Sequence, residues 1–427
     1  MFNNSKSLFI KNRAKLIRLM KPNSVAIICS SKQLLRTRSL YSEYRQSSNM
    51  IYLTGIFQED TTLLLYPNNS NNELREVLFI RYADEKTLTW EGHKHTKKEA
   101  SEISGIDNIM WDSDLRTILK KVVKNASFVY LEMGDEWAKV DAPYTLSYSF
   151  ANKFKKSFPQ KRFKKLVPLI NQIRMVKEKQ EIEIIKEAIN VTHKTFCKIL
   201  PKIKPGIFEN DIEAEITQSF IKNDKCPHSY LPIVASGINS TILHYNSNKC
   251  KLTKGDLLLL DFGAEKNGYA SDLSRTVPIS GKFTKRQAEV YKSVLKIMEQ
   301  AKKLFVTGNT INKLNEAVGF MMEDELVKLN LLKLSDIKKQ DKENPLYKKY
   351  YMHGTSHFIG LDVHDCGNRD VRFKKGMVLS CEPGIYIKEE GFGIRLENDI
   401  LVDDKPIDLM EQIPIEMEEI EELMKHS

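Results

Sequence analysis

No apolar run in this chain approaches the roughly 18 residues of a membrane-spanning helix. The start carries no secretory hydrophobic core. The six cysteines, at positions 29, 197, 226, 250, 366 and 381, form no CxxC pair and no short-spaced framework. That argues against a disulfide scaffold and fits free thiols in a reducing cytoplasm. RNA-module motifs, zinc-finger spacing and long basic blocks are also missing. A net charge of +10 is therefore read as a solvated basic surface, and no nucleic-acid or membrane partner is expected. Acidic residues are absent from the first 42 positions, which hold nine Lys/Arg, whereas the last 17 hold six Glu and one Lys. The acid-free start is compatible with a transit peptide. Leu8, Ile10, Leu16, Ile17 and Met20 favour instead the buried stripe of an ordinary first helix, ended by Lys21-Pro22.

What is present suffices for two domains with real cores: 427 residues, 41% of them hydrophobic. In the first third, short apolar strands at 25–29, 62–66, 77–81 and 128–132 alternate with helices at 97–104 and 113–124, an α/β pattern. The run 67–72 reads as a loop, and Trp90 falls on a hairpin or loop. Residues 155–178 read as a basic, irregular stretch, with the domain boundary near 172. Helices follow at 179–200, 209–223, 284–305 and 311–330. Strands are expected at 257–263, 270–278, 377–381, 385–388, 392–398 and 400–403. Residues 333–349 read as a solvated lysine-rich loop, and a Glu-rich helix closes the chain with Pro414 in its first turn. The second domain reads as two similar halves, which suggests an internal duplication with a site between them.

Three of the nine histidines, His353, His357 and His364, fall within twelve residues among Gly, Ser, Thr and apolar neighbours. A solvated loop needs no such filling, but a buried site holding neutral imidazoles does. Four carboxylates give the stretch chemical meaning. Asp261 ends a run of four leucines, and Asp272 lies eleven residues later, with Gly268 able to turn a hairpin between them. An unpaired acid there is costly; a metal is one remedy, and a cap on a turn is the plainer alternative. Glu382 follows a buried strand, and Glu397 shares a strand face with Arg395. One imidazole and four carboxylates are the ligand set of a two-metal hydrolase. Such oxygen-rich ligation favours manganese, with zinc or cobalt also able to bind.

The order Asp261, Asp272, His357, Glu382, Glu397 resembles that of the pita-bread metallopeptidases. Tyr44-Arg45-Gln46-Ser47-Ser48-Asn49, Tyr52-Leu53-Thr54-Gly55, His353-Gly-Thr-Ser-His357 and Leu361-Asp362-Val363-His364-Asp365 look like the aminopeptidase P branch. The resemblance spans essentially the whole chain. It implies an α/β N-terminal domain over 1–172 and an α+β pita-bread catalytic domain over 173–427. It implies two divalent ions: Asp261 chelating one, Asp272 and Glu397 bridging both, His357 and Glu382 completing the second. A bridging hydroxide would attack the first peptide bond of a substrate with proline in second place. Glu382 would relay the proton. His244 and His364 would meet the substrate carbonyl and the oxyanion, His353 would lie near the proline ring, and Arg395 would line the pocket. A homodimer or homotetramer is implied too, with Trp90 either covering a neighbour's site or packing at home. A prolidase restricted to dipeptides and a non-catalytic peptide-binding module are the rival readings. Cys366 and Cys381 read as structural thiols, and His93 and His95, among lysines, as solvated.

Overall fold

The computed structural model describes residues 6–133, 146–223 and 225–425. The chain divides into two units, Met1–Arg174 and Met175–Ser427.

The first unit runs α1 (Lys6–Leu19), β1 (Ser24–Cys29), α2 (Ser48–Thr54), β2 (Thr62–Leu65), β3 (Glu76–Ile80), α3 (Glu85–Glu91) and α4 (Lys97–Ser104). It continues with β4 (Ile109–Trp111), α5 (Leu115–Asn125), β5 (Phe128–Leu131), α6 (Leu146–Ser157), β6 (Arg162–Lys165) and α7 (Val167–Arg174). The strands form one mixed sheet in the order β4-β3-β2-β1-β5-β6. Val25, Ile27, Leu64, Val77, Phe79, Val129 and Leu131 from four strands pack with Leu119, Val122 and Val123 of α5. These strands are buried on both faces, so they read as continuous apolar runs. Gly55 ends α2 at φ 70°, and a Cβ there would lie 2.3 Å from the Phe9 ring, so glycine lets α1 approach.

Three expectations are corrected in this unit. Trp90 lies on helix α3, not on a hairpin: Asp84 accepts from the Thr87 amide at 2.8 Å and starts the helix, and Gly92 ends it. Residues 155–178 are not irregular. Charged β6 pairs parallel to β5 at the sheet edge, where lysines discourage further pairing, and Pro168 opens α7 where its missing N–H costs nothing. His95 is only partly exposed, unlike its exposed neighbour His93.

The second unit begins with α8 (Lys179–Ile199) and α9 (Glu209–Lys222). The Glu178–Glu181 capping box starts α8, whose buried stripe includes Ile185, Ala188, Ile189, Thr192, Phe196 and Ile199. Next come β7 (Ile233–Ser236), β8 (Leu257–Phe262), β9 (Glu265–Lys266), β10 (Tyr269–Ala270) and β11 (Leu273–Pro278). A second helix pair, α10 (Lys285–Lys302) and α11 (Ile311–Lys328), is followed by short α12 (Leu334–Ile337). The chain then forms β12 (Val378–Cys381), β13 (Gly384–Ile387), β14 (Phe392–Arg395), β15 (Asn398–Leu401), β16 (Ile407–Asp408) and α13 (Met417–Leu423). Two helices followed by antiparallel strands thus occur twice. Asn267 and Gly268, both at positive φ, make the two-residue turn between β9 and β10.

Here too the sequence reading needs correcting. Residues 333–349 contain α12 and a 3-10 turn at Leu346–Lys349. The expected strand 392–398 breaks at Leu396–Glu397, because the chain changes partner: β14 pairs with β13, and β15 with β12. The expected strand 270–278 breaks at Ser271–Asp272, where Gly263 admits the Ser271 carbonyl so closely that a Cβ would lie 1.8 Å from it. Pro414 lies ahead of α13, and its carbonyl accepts from Arg275 Nε at 2.8 Å.

Candidate metal centre

Strand register gathers the acids. Asp261 on β8 sits opposite Ser274 on β11, and Ser274 is bridged on its other side to Glu397. Opposed residues on antiparallel strands share a face, so Asp261 on β8, Ser274 on β11 and Glu397 at the isolated bridge between β14 and β15 form a row. Asp272, two residues before Ser274, faces the same way. Glu397 occupies the point where the chain leaves β14 for β15, its amide donating to the Ser274 carbonyl at 3.0 Å.

The histidine stretch is stitched to β12. Ser380 N donates to the His357 carbonyl at 2.9 Å, and the His357 amide donates to Ser380 Oγ at 3.0 Å. Glu382 N donates to the Thr355 carbonyl at 2.9 Å. Below, a buried pair between Lys177 and Asp365 at 3.0 Å ties the end of the stretch to the entrance of α8.

His357 Nδ1 lies 3.2 Å from the Phe358 carbonyl, so that nitrogen carries the hydrogen. Its Nε2 faces Asp272 at 3.4 Å, Glu382 at 3.6 Å and Glu397 at 4.0 Å. An imidazole fixed by a carbonyl on one nitrogen, with the other aimed at carboxylates, is the usual posture of a metal ligand. Asp272, His357 and Glu397 each bring one ligand atom to within 4.8 Å of the others. Asp261 adjoins this trio through Tyr230, whose hydroxyl lies 2.6 Å from Asp261 Oδ1 and 2.5 Å from Asp272 Oδ1.

The electrostatics record a shortage of positive charge. Burial raises the Asp261 carboxyl; Arg395 opposes the rise and Asp272 adds to it. Burial, together with Asp272 and Asp261, pushes Glu382 up to about 7 against the pull of His357 and Arg395. Burial and the charges of Asp272, Glu382 and Asp261 drive Glu397 well above the carboxylate range. Burial alone would lower His357, but Asp272 and Glu382 more than offset it and hold the ring at about 9. A proton is thus drawn to the point among the acids that a cation would serve better. The oxygen-rich donor set, the aimed imidazole and the crowded carboxylates all fit divalent ions.

The remaining residues surround this cluster. Arg395 lies beside Asp261 on the last position of β14. It is buried, forms an ion pair with Asp261, and donates to Ser274 Oγ at 2.9 Å and Tyr386 Oη at 3.0 Å. His353 Nδ1 donates to the Gly354 carbonyl at 2.8 Å, leaving Nε2 to accept from Tyr386 Oη at 2.8 Å. Burial, then Arg395, lowers His353 to about 3, so it is neutral. The His364 ring lies 4.4 Å from that of His357, edge to face, and burial lowers its pKa. His244 is exposed, on a turn after the 3-10 segment Gly237–Thr241, near enough for its charge to act on His353 and His364. Cys381 is fully buried and its thiol is pushed far up by burial, while Cys366 is partly exposed.

The sequence matches metallopeptidase family M24 over residues 183–404 and the aminopeptidase P N-terminal domain over 9–130. The chain belongs to the M24 metallopeptidases. It is 33% identical to an Xaa-Pro aminopeptidase of Escherichia coli strain K12, covering 98% of both chains. Against an Xaa-Pro aminopeptidase of Haemophilus influenzae it is 31% identical, over 98% of this chain and 97% of that one. Zinc-substituted E. coli aminopeptidase P in complex with product superposes with a TM-score of 0.89 at 32% identity, covering 98% of each. This M24 chain is therefore a hydrolase with the pita-bread fold, of a family that uses divalent metal ions.

Sequence reasoning missed four residues around the cluster. Tyr230 stands among prolines and carries no motif. Ser274, Tyr386 and Asp399 were visible only as neighbours of better candidates. Ser274 Oγ donates to Glu397 Oε2 at 2.7 Å, and the Asp272 amide donates to Asp399 Oδ2 at 3.2 Å. Strand period two from Asp272 and Glu397 is the signal that would have found Ser274 and Asp399.

Proposed function

We propose that the chain releases the first residue from peptides with proline in second place, using two divalent ions held by Asp261, Asp272, His357, Glu382 and Glu397. The observation that carries this is His357, with Nδ1 committed to a carbonyl and Nε2 turned toward three carboxylates. It occurs in a chain aligned along nearly its whole length with Xaa-Pro aminopeptidases. Bound divalent ions supply Lewis-acid polarisation and a nucleophilic water at neutral pH.

The chain's own groups do the rest. Arg395 and Tyr230 hold Asp261, and Ser274 orients Glu397. Glu382, beside His357, is the group to pass a proton to the leaving nitrogen. His364 donates to the oxygen where negative charge develops, and His244 reaches the substrate carbonyl from the exposed rim. Neutral His353, backed by Tyr386, presents an uncharged ring toward the proline. An Xaa-Pro bond has no N–H, so a peptidase that grips an amide hydrogen there loses a contact. A site shaped for the ring does not.

Manganese suits four carboxylates and one imidazole best. We also propose a cytoplasmic homodimer or homotetramer. All six cysteines are free, no described helix is long and apolar enough to cross a membrane, and Trp90 is 81% exposed, available to another copy.

The test compares Xaa-Pro-Yaa tripeptides, their N-acetylated forms, Xaa-Pro dipeptides and Xaa-Ala-Yaa controls with manganese present. Cleavage of the free tripeptides alone is expected. Preference for dipeptides would make the enzyme a prolidase, and equal rates on blocked and free peptides would remove the exopeptidase assignment.

A further inference from the structure

We propose that His93, His95 and Glu99 form a second metal site, of zinc type, in the first unit. The segment between α3 and α4 builds it. Gly92, at φ 78°, releases the chain from α3, and Thr96 starts α4 with a capping box to Glu99. Between them the side chains alternate as in extended backbone. His93 and His95 point one way, and Lys94 turns the other way to Glu59, 2.5 Å off. The His95 amide donates to Gln58 Oε1 at 2.7 Å and fixes the segment. Glu99 Oε2 accepts from Thr96 N at 2.8 Å and Thr96 Oγ1 at 3.0 Å. That leaves Oε1 facing His93 Nε2 at 3.3 Å.

The three residues each bring one ligand atom to within 4.8 Å of the other two. Neighbouring donors around a tetrahedral zinc with bonds of about 2.0–2.1 Å lie roughly 3.4 Å apart, so the site is nearly assembled. The imidazole planes are perpendicular, with ring centroids 5.9 Å apart. Nearby lysines point elsewhere: Lys97 Nζ lies over the Trp111 ring at 4.8 Å, and Lys98 Nζ is 4.0 Å from Glu102. Burial lowers the His95 imidazole from its ordinary range. Hydrogen bonds from the Thr96 amide and hydroxyl lower the Glu99 carboxyl from its ordinary range. Two imidazoles and one carboxylate prefer zinc to manganese, the reverse of the oxygen-rich cluster in the second unit. The remaining coordination positions would be water. Bound zinc would staple the segment after Trp90 to the first turn of α4.

The test uses the whole manganese-loaded protein with manganese kept in excess. Zinc uptake is measured by equilibrium dialysis and elemental mass spectrometry in the wild type and in His93→Ala/His95→Ala. The double variant should take up one zinc fewer per chain, with a melting temperature equal to that of the wild type when zinc is absent. Acylation of His93 and His95 by diethylpyrocarbonate, mapped by peptide mass spectrometry, should fall about tenfold when zinc is added. Glu99→Gln, whose amide oxygen can still cap α4, should bind this zinc at least about tenfold more weakly. Equal zinc uptake by the wild type and the double variant would overturn the proposal. So would unchanged acylation, or full affinity in Glu99→Gln.

Discussion

Arg13 in the first unit and Arg395 in the second are both buried guanidiniums, and what surrounds them differs sharply. Arg13 pairs with Glu76 at 2.6 Å and donates to the Leu53 and Ser104 carbonyls, each at 2.8 Å. Its donors are matched within the protein, so it ties α1, α2, α4 and β3 together. Arg395 faces a group of acids that it cannot neutralise alone. Asp261, Asp272, Glu382, Glu397 and Asp399 crowd around Arg395 and His357, and three of the acids rise strongly in pKa. A protein stabilised only by its own contacts gains nothing from that crowding. The unbalanced cluster makes sense as a cation site, and the balanced one as structure.

Changes in the two regions should therefore separate activity from stability. The largest effect is expected for His357→Ala and Glu397→Ala, which should lose bound metal and turnover together, measured by elemental analysis beside kinetics. Next is His364→Ala. It should keep its metal and lose roughly a hundredfold to a thousandfold in kcat, since only a donor to developing charge is removed. If it loses metal while His357→Ala retains it, the two roles are reversed. Arg13→Ala should do the opposite of both. It should destabilise the first unit by about 3 kcal/mol in urea, because two buried carbonyls lose their donor. Activity per folded molecule should stay unchanged.

The smallest effect concerns pH. Without metal, Glu382 has a folded pKa of about 7, above its ordinary value of 4.5, and Glu397 is also raised. A raised acid contributes its full share of stability below the unfolded pKa and loses it as pH rises through the folded one. The melting temperature of the metal-free protein should therefore fall by on the order of 5 °C between pH 5 and 8. Metal should restore more at pH 8 than at pH 5. A metal-free protein equally stable at both would contradict the charge imbalance.

Much of this was legible because strand period and residue chemistry coincide. Asp261 at the end of four leucines, the turn at Gly268 and the apolar filling around His357 each follow local rules that tertiary packing did not override. What escaped the sequence depended on contacts distant in the chain. Tyr230 matters only because β8 and β11 bring Asp261 and Asp272 beneath its hydroxyl. The strand break at Glu397 arises from a change of pairing partner, which no window around residue 397 contains. Trp90 looked like a loop residue because its helix has no buried face to print a period. His93 is exposed, as its lysine-rich surroundings in the sequence suggested, while His95 is only partly so.

The central claim is that the buried acids of the second unit hold the ions on which Xaa-Pro hydrolysis depends. The most direct measurement strips the protein with chelator, returns manganese stepwise, and follows metal per chain and tripeptide cleavage in the same samples. Activity should be absent without metal and should rise with occupancy to a limit of two manganese per chain. Full activity in a preparation shown to contain no metal would contradict the account.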